Sequence, residues 1–576
     1  MKILIEKYSY PKNKLVPLLD SHYYSELQNG IAQIPYVGYF LSYKIPDTVF
    51  ILPKVFIING KAFGKYAPED IIDFDHLNTE DKKTVFALSV WVYRAIKLYC
   101  QRKGRLSDEA EVMQNVVSHY GNSSDTMIDI ILSLLKFNRE HRHLFTYITR
   151  VKHSGQNKIH WRRTIAKTQA IIHDKKPFYP YPQTKRKEVN YDEELIILFF
   201  SVLNYLNMEF HFEINPIFEY ELIKPHKIKD MIISGKGQRI MRQNRRKYFT
   251  DEMVLLWHLL YTFFEQSQYV QSKTNNDEQA MLVRDFNLVF EDMIDSLIGD
   301  TQLPKGLKEQ KDGKIIDHIY RDRSLIDTTE DIYFIGDSKY YKEGNEVGTN
   351  SIYKQFTYAK NVIQYNMDVF NGLSKDNHDS KLCYRDNYTE GYNITPNFFI
   401  RGHLDKDKLN DYGEDGLRTI GREQISYQFE NRLFDRDTLI LQTYNINFLF
   451  VLAAYVRGAG EHTKKIRRVF RKNIKEVLQR RYNFYALKPR VQMVADEYLQ
   501  KNFQKVLGKV YAPYDKERTN CLSLALCNDG IYIQDNTSLL DELSRLFYIH
   551  KIESGRIDEN LEELFSAEEQ TKFDSN

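Results

Sequence analysis

"DIYFIGDSKYYK", Asp331–Lys342, sets an acid and an amine two residues apart at the end of an apolar run. Successive side chains of a strand alternate faces, so Asp337 and Lys339 share one face and Ser338 takes the other. A like-facing pair at a strand end is either a surface ion pair or part of a catalytic site. The triplet alone cannot decide, because acid-x-lysine recurs at Asp81–Lys83, Asp174–Lys176, Asp312–Lys314 and Asp379–Lys381. The surroundings of Asp337 set it apart from these.

Upstream, "GKIIDHIY" (Gly313–Tyr320) reads as a second strand, with Ile315, Ile316 and Ile319 around Asp317. The polar connection "RDRSLIDTTED" is short enough to join neighbouring antiparallel strands, which would bring Asp317 and Asp337 to one edge. Before it, "MLVRDFNLVFEDMIDSLIG" spaces Leu282, Phe286, Val289, Phe290, Met293 and Leu297 as the stripe of a helix, with Glu291 beside the stripe. After Lys342, "NSIYKQFTYAKNVIQY" reads as another helix, on which Gln355 and Tyr358 are neighbours one turn apart. The order is helix with an acid, strand with an acid, strand with acid-x-lysine, helix. Carboxylates gathered at one point repel unless a cation sits between them, and an oxygen-rich site suits Mg²⁺, with Mn²⁺ as the alternative. Such an ion polarises a phosphoryl oxygen and activates water. Lys339 is then expected to orient the attacking water or balance charge on the transition state.

The pattern resembles the PD-(D/E)XK nuclease superfamily, with "IIDHIY" and "GDSK" as its two acidic elements and Ile316 where proline is usual. The resemblance implies that Asp317 and Asp337 bind metal and that Lys339 is the catalytic lysine. Glu291 resembles the helical acid that completes the metal site in many members. Gln355 and Tyr358 resemble a Q-x-x-x-Y-type helix with the spacing one residue short. Together with "VFILPKVFIING" (Val49–Gly60) and "KIHWRRTI" (Lys158–Ile165), the order of motifs is similar to McrC-like restriction subunits of the LlaJI type, over roughly residues 30–370. That likeness implies a defence endonuclease acting on double-stranded DNA, with a McrB-like AAA+ NTPase motor docked on the N-terminal β-rich domain. "GKGQR" (Gly235–Arg239) lacks the lysine-serine ending of a phosphate-binding loop, so nucleotide hydrolysis would fall to that partner. A non-catalytic DNA-binding adaptor of a motor complex and a self-sufficient endonuclease stay open as alternatives.

The chain of 576 residues is too long for one core. It is expected to be a multi-domain α/β protein. The partition runs from a β-rich domain over 1–75 and a helical region over 76–173 to a connector with helices and a basic segment over 174–265. An α/β nuclease core over 266–375 follows, then a mixed C-terminal region over 376–576 to which no role is assigned. A net charge of +3 is nearly balanced, so any nucleic-acid surface must be a local patch. Two runs fit that description. Ile223–Tyr248 holds nine Lys/Arg against one Asp, and Lys236, Arg239, Arg242, Arg245 and Arg246 would form a basic face if helical. Lys464–Arg481 holds nine Lys/Arg against one Glu and leads into Tyr482, Phe484 and Tyr485, residues able to stack on bases or fill a core. For both runs an ordinary solvated helix is the competing reading.

Cys100, Cys383, Cys521 and Cys527 form no C-x-x-C pair and are read as buried thiols of a reducing, cytoplasmic compartment. The start lacks the apolar core of a secretion signal, and "TVFALSVWVY" and "FLFVLAAYV" fall short of the ~20 residues a membrane helix needs. His141, His143 and His160 lack a second cluster at ligand spacing and are read as structural. His318 is expected on the opposite strand face from Asp317, as a structural group or an outer contact of the site. "NRLFDRDTLILQTYNINFLFVLAAY" (Asn431–Tyr455) is expected to be a salt-bridged start, at Asp435 and Asp437, of an apolar helix.

Overall fold

The computed structural model describes residues 1–41, 48–67, 70–103, 112–115, 126–151, 158–189, 194–210, 220–272, 279–310, 313–326, 330–371, 382, 384–386, 389–405, 407–490, 495–512, 521–553 and 555–557. The chain is mixed α/β and divides into two compact units that interleave along the sequence. One comprises residues 1–52, 69–93 and 112–283; the other comprises 53–68, 94–111 and 284–576.

The first unit contains a six-stranded sheet whose central strands are Gln279–Val283, Val37–Leu41, Thr48–Leu52 and Lys2–Ile5. Its helices Met127–Glu140, Glu194–Phe210, Pro225–Ile233, Lys236–Asn244 and Asp251–Ser272 gather around Leu134, Phe199, Leu203, Leu260 and Phe264. The first of these opens on a capping box, Thr126 with Asp129, to which the buried Tyr93 hydroxyl adds a hydrogen bond of 2.6 Å. Residues 279–283 correct the sequence reading. Leu282, taken as part of a helical stripe, lies in a strand paired antiparallel with Val37–Leu41, and the helix begins only at Phe286. Ala280, Met281, Leu282 and Val283 are all buried, and a short wholly apolar run fits both periodicities equally well.

The second unit is built on a five-stranded sheet. In chain order its elements are α1 (Phe286–Ile298), β1 (His318–Arg323), β2 (Asp331–Lys339), α2 (Thr349–Phe370), β3 (Pro396–His403), β4 (Arg418–Ser426), β5 (Leu439–Asn447), α3 (Phe448–Arg457) and α4 (His462–Arg481). The strand order is β1-β2-β3-β5-β4, with β2, β3 and β5 parallel and the edge strands β1 and β4 antiparallel to their neighbours. Three of the five strands therefore lie beyond residue 376, where the sequence alone suggests no role. Asn431–Tyr455 is also corrected: "LILQTYNIN" is strand β5, and only Phe448 onward is helical. Leu439–Gln442 are covered on both faces, as befits a strand inside a parallel sheet, and beyond them buried Tyr444 and Ile446 alternate with half-buried Thr443 and Asn445.

Helix α2 covers one face of the sheet, where Phe356, Tyr358, Ala359, Val362 and Ile363 meet Ile319, Tyr333, Ile335, Phe399 and Leu441. Helix α4 lies on the other face, with Phe470 stacked on Phe398 at 4.7 Å and edge-on to Tyr444 at 4.6 Å. A small residue in β2 makes this packing possible. A Cβ at Gly336 would overlap the ring of Phe398, which is itself fully buried. Tyr482 and Phe484 follow α4 in a strand of a separate four-stranded sheet and are buried, so they fill a core.

Overpacking a closed core costs about 1–3 kcal/mol. Gly336→Ala should therefore lower the thermal midpoint of the chain, and adding Phe398→Leu should restore part of the loss. Additive effects in this double-mutant cycle, followed by thermal denaturation, would contradict the packing described.

Candidate acidic site at the strand ends

The parallel strands β2 and β3 end at Lys339 and His403, and the carboxyl ends of parallel strands are where open α/β sheets commonly carry their sites. Asp337 and Lys339 occupy the end of β2. Because β1 runs antiparallel, its beginning falls at the same place: His318 is opposite Gly336, which sets Asp317 beside Asp337. The Ser338 N–H donates to Oδ2 of Asp317 at 3.1 Å, locking the two strands at the acids. Glu291 comes from α1 and is held by a hydrogen bond from Asn287, one turn earlier.

These groups act on one another. Burial, followed by repulsion from Asp337 and Glu291, pushes the Asp317 carboxyl up to about 9, and a side-chain hydrogen bond to Asp337 adds to the effect. Burial, with repulsion from Asp337, raises Glu291 to about 7, against the pull of Asn287, Lys339 and Lys354. Burial and repulsion thus both favour the protonated form of Asp317, which hydrogen-bonds to Asp337. The Lys339 ammonium pairs with Oδ2 of Asp337 and lies 5.0 Å from the centroid of the Phe399 ring. That oxygen is buried and accepts no hydrogen bond of ordinary geometry.

The donor set fits a hard divalent cation in type, since it offers carboxylate oxygens whose repulsion a cation would relieve. It is not an assembled cage. Among the described residues no three His, Cys, Asp or Glu side chains stand together as a group that could hold a metal ion. Asp317, Asp337 and Glu291 are the residues that would hold the ion, and Lys339 now neutralises the charge they would offer it.

Gln355 is buried and donates to the carbonyl of Ile335 at 3.3 Å, so it ties α2 to the backbone of β2. Tyr358 is buried in the same layer and accepts a hydrogen bond from Lys354. Lys354 is the residue that sequence reasoning missed. Its ammonium is exposed on α2, feels Asp337 and Asp317, and lowers Glu291 in return. The available signal was its place one turn before Tyr358, which does not separate a site lysine from a solvated one.

His318 takes the opposite strand face, as the alternation requires. It is fully buried, with Nε2 2.5 Å from Ser338 Oγ and Nδ1 3.4 Å from Asp295 Oδ1. Burial pushes its imidazole below the usual range, with Asp295 opposing the shift. Asp295 is in turn paired with Lys308 at 2.6 Å. His318 thus sits in a buried polar cluster with Asp295 and with Ser338, the residue between the acid and the lysine.

Lys236, Arg239, Arg242, Arg245 and Arg246 are exposed on the first unit, along helix Lys236–Asn244 and the single turn after it. They are not all free. Arg239 donates to the Ser234 carbonyl at 2.8 Å, and Arg242 to the Tyr261 hydroxyl at 3.2 Å. Arg245 sits 5.8 Å from the centroid of Trp257. Arg242 and Arg245 line a cavity of about 360 Å³ with Trp257, His258, Tyr261, Thr262 and Glu265. His141 stacks on Phe137 at 4.3 Å, in keeping with a structural role. Cys100, Cys521 and Cys527 are free thiols; Cys383 lies outside the described residues. Among the described residues no helix is long and apolar enough to cross a membrane.

No family model, curated protein or solved structure matches the chain.

A carboxyl whose folded pKa is raised contributes stability below its unfolded pKa and loses it as pH climbs through the folded value. Asp317 and Glu291 should therefore erode stability between about pH 4 and 9. Asp317→Asn should raise the thermal midpoint relative to wild type, by an amount that grows from pH 5 to pH 8, at about 1–2 °C per kcal/mol relieved. Mg²⁺ should stabilise wild type at pH 8 and leave the Asp317→Asn/Asp337→Asn variant unmoved. Scanning calorimetry at several pH values measures both effects. An equal midpoint shift at every pH would contradict the electrostatic account.

Proposed function

We propose that this chain is a divalent-metal-dependent endonuclease of the PD-(D/E)XK type. Its substrate in this reading is double-stranded DNA, and its role is the cutting subunit of a prokaryotic restriction system driven by a McrB-like AAA+ NTPase. The observation that carries the reading is the convergence of Asp317, Asp337, Glu291 and Lys339 at one end of a sheet. They come from two strands and a helix, in the helix–strand–strand–helix order of the motif.

When bound, Mg²⁺ would supply a Lewis acid to the scissile phosphate. The chain's own residues do the rest. Asp317, Asp337 and Glu291 would hold that ion, Asp317 losing its proton to solvent water. With Asp337 so engaged, the Lys339 ammonium would be able to orient the attacking water through its Nζ or to meet charge growing on phosphate oxygens. Lys354 brings a second positive charge toward the same acids from α2. Ser338 and His318 keep the Asp337 strand in register, because one partner holds the Ser338 hydroxyl and Asp317 holds its N–H.

Asp337→Ala and Lys339→Ala should each lower cleavage of plasmid DNA at least a hundredfold, with the chain still folded and still binding duplex. The assay uses the purified full chain with Mg²⁺ or Mn²⁺, with and without its AAA+ partner and NTP. Cleavage surviving in either variant sinks the site assignment. Cutting without any NTPase marks a self-sufficient endonuclease. A wild type that binds DNA with its partner and never cuts marks a non-catalytic adaptor.

A further inference from the structure

Helix α4 carries the second basic run, and its cations divide into two groups. Lys465 pairs with Asp415 at 2.7 Å, Lys472 lies 3.8 Å from Glu476, and Arg480 and Arg481 both reach Glu423. Lys475 donates to the Gly555 carbonyl. The others, Lys464, Arg467, Arg468 and Arg471, fall three or four residues apart on one face of the helix. With Arg321, Asp322 and Arg323 of β1 they line a cavity of about 510 Å³.

The wall of this cavity has a braced layer and a free one. Arg467 donates to the Ile298 carbonyl at 2.7 Å and to Asp300 at 2.7 Å, and its guanidinium lies 4.4 Å from the Tyr320 ring centroid. Arg471 donates to the carbonyls of Arg323 and Ser324, and Arg321 pairs with Asp331 at 2.8 Å. Arg323, Lys464 and Arg468 are exposed and form no ion pair with any described residue. Six cations thus surround one lining carboxylate, Asp322, while Asp300 and Asp331 are already engaged. Like charges held this close repel, and a polyanion is the partner that relieves them.

We propose that this cavity grips the phosphodiester backbone of the DNA flanking the cut, an inference that rests on the nuclease reading above. Strand β1 links the two places. Arg321 and Arg323 follow Asp317 by four and six residues, which at about 3.3 Å per residue is roughly 13–20 Å along the strand. With one phosphate per about 3.4 Å of duplex axis on each strand, that reach corresponds to about four to six base pairs. The contacts fall on phosphates, so the grip carries no sequence preference.

The test measures anisotropy of a labelled duplex several helical turns long, without divalent metal, over a series of salt concentrations. The full chain carries Arg323→Glu, Lys464→Glu and Arg468→Glu, singly and together. Each lost phosphate contact removes about 0.9 from the slope of log K against log salt, so the triple variant should lose about 2–3 and bind at least tenfold more weakly. Arg468→Lys should stay near wild type, and Lys472→Gln, on the same helix but outside the cavity, should keep nearly the full slope. Unchanged affinity and slope in the triple variant, with its thermal midpoint intact, overturns the proposal. So does loss of AAA+ partner binding with duplex affinity retained, or inorganic phosphate stabilising wild type alone without competing for duplex. If the triple variant fails to fold, the single reversals decide by the same slope. Slope lost in the triple variant while wild type never cuts would leave the grip standing and remove the nuclease.

Discussion

Repulsion among crowded carboxylates, one buried and two half-buried, dominates the acid-bearing end of the five-stranded sheet. Asp317, Asp337 and Glu291 arrive from three elements at one sheet end, and burial makes their charges costly to hold together. The chain relieves that cost with a hydrogen bond between two aspartates and with the Lys339 ammonium against Asp337. Repulsion from two further acids, with a single amine beside them, distinguishes this strand end from an ordinary surface ion pair.

Everything around that point serves to keep it in place. Backbone pairing of β1 with β2 sets the two aspartates side by side, and the Ser338 N–H fastens one to the other's strand. Below them Gly336 gives up its side chain so that Phe398 can pass over the strand and stack on Phe470 of α4. The same α4 that closes the core through Phe470 turns its cations outward along the edge strand β1. Core packing and surface charge are thus two faces of one helix, and the position of the acids fixes the position of the basic cavity.

Much of the site could be read from residues 286–365. Alternation predicts that Asp337 and Lys339 share a face and that His318 does not, and the pairing of β1 with β2 follows from the short polar link between two apolar runs. Other parts were illegible for identifiable reasons. "QAMLV" is apolar throughout, so its period does not distinguish strand from helix. "LILQTYNIN" adjoins an apolar helix without a turn residue between them, and the boundary at Asn447 is marked only by a side-chain cap to Leu449. Lys354 looks like any exposed helix lysine until the fold sets it near the acids.

By itself the sequence determined the local pieces: the acid-x-lysine strand end, the second acidic strand, the helices on either side and the two basic runs. Local pattern suffices there because strand alternation and helix periodicity depend only on near neighbours. The tertiary structure alone decided that β3, β4 and β5, from beyond residue 376, complete the sheet. It also decided which cations of Lys464–Arg481 pair with carboxylates and which line the cavity beside β1. Those outcomes depend on pairing between residues tens of positions apart, and no periodicity within a single segment encodes the partner.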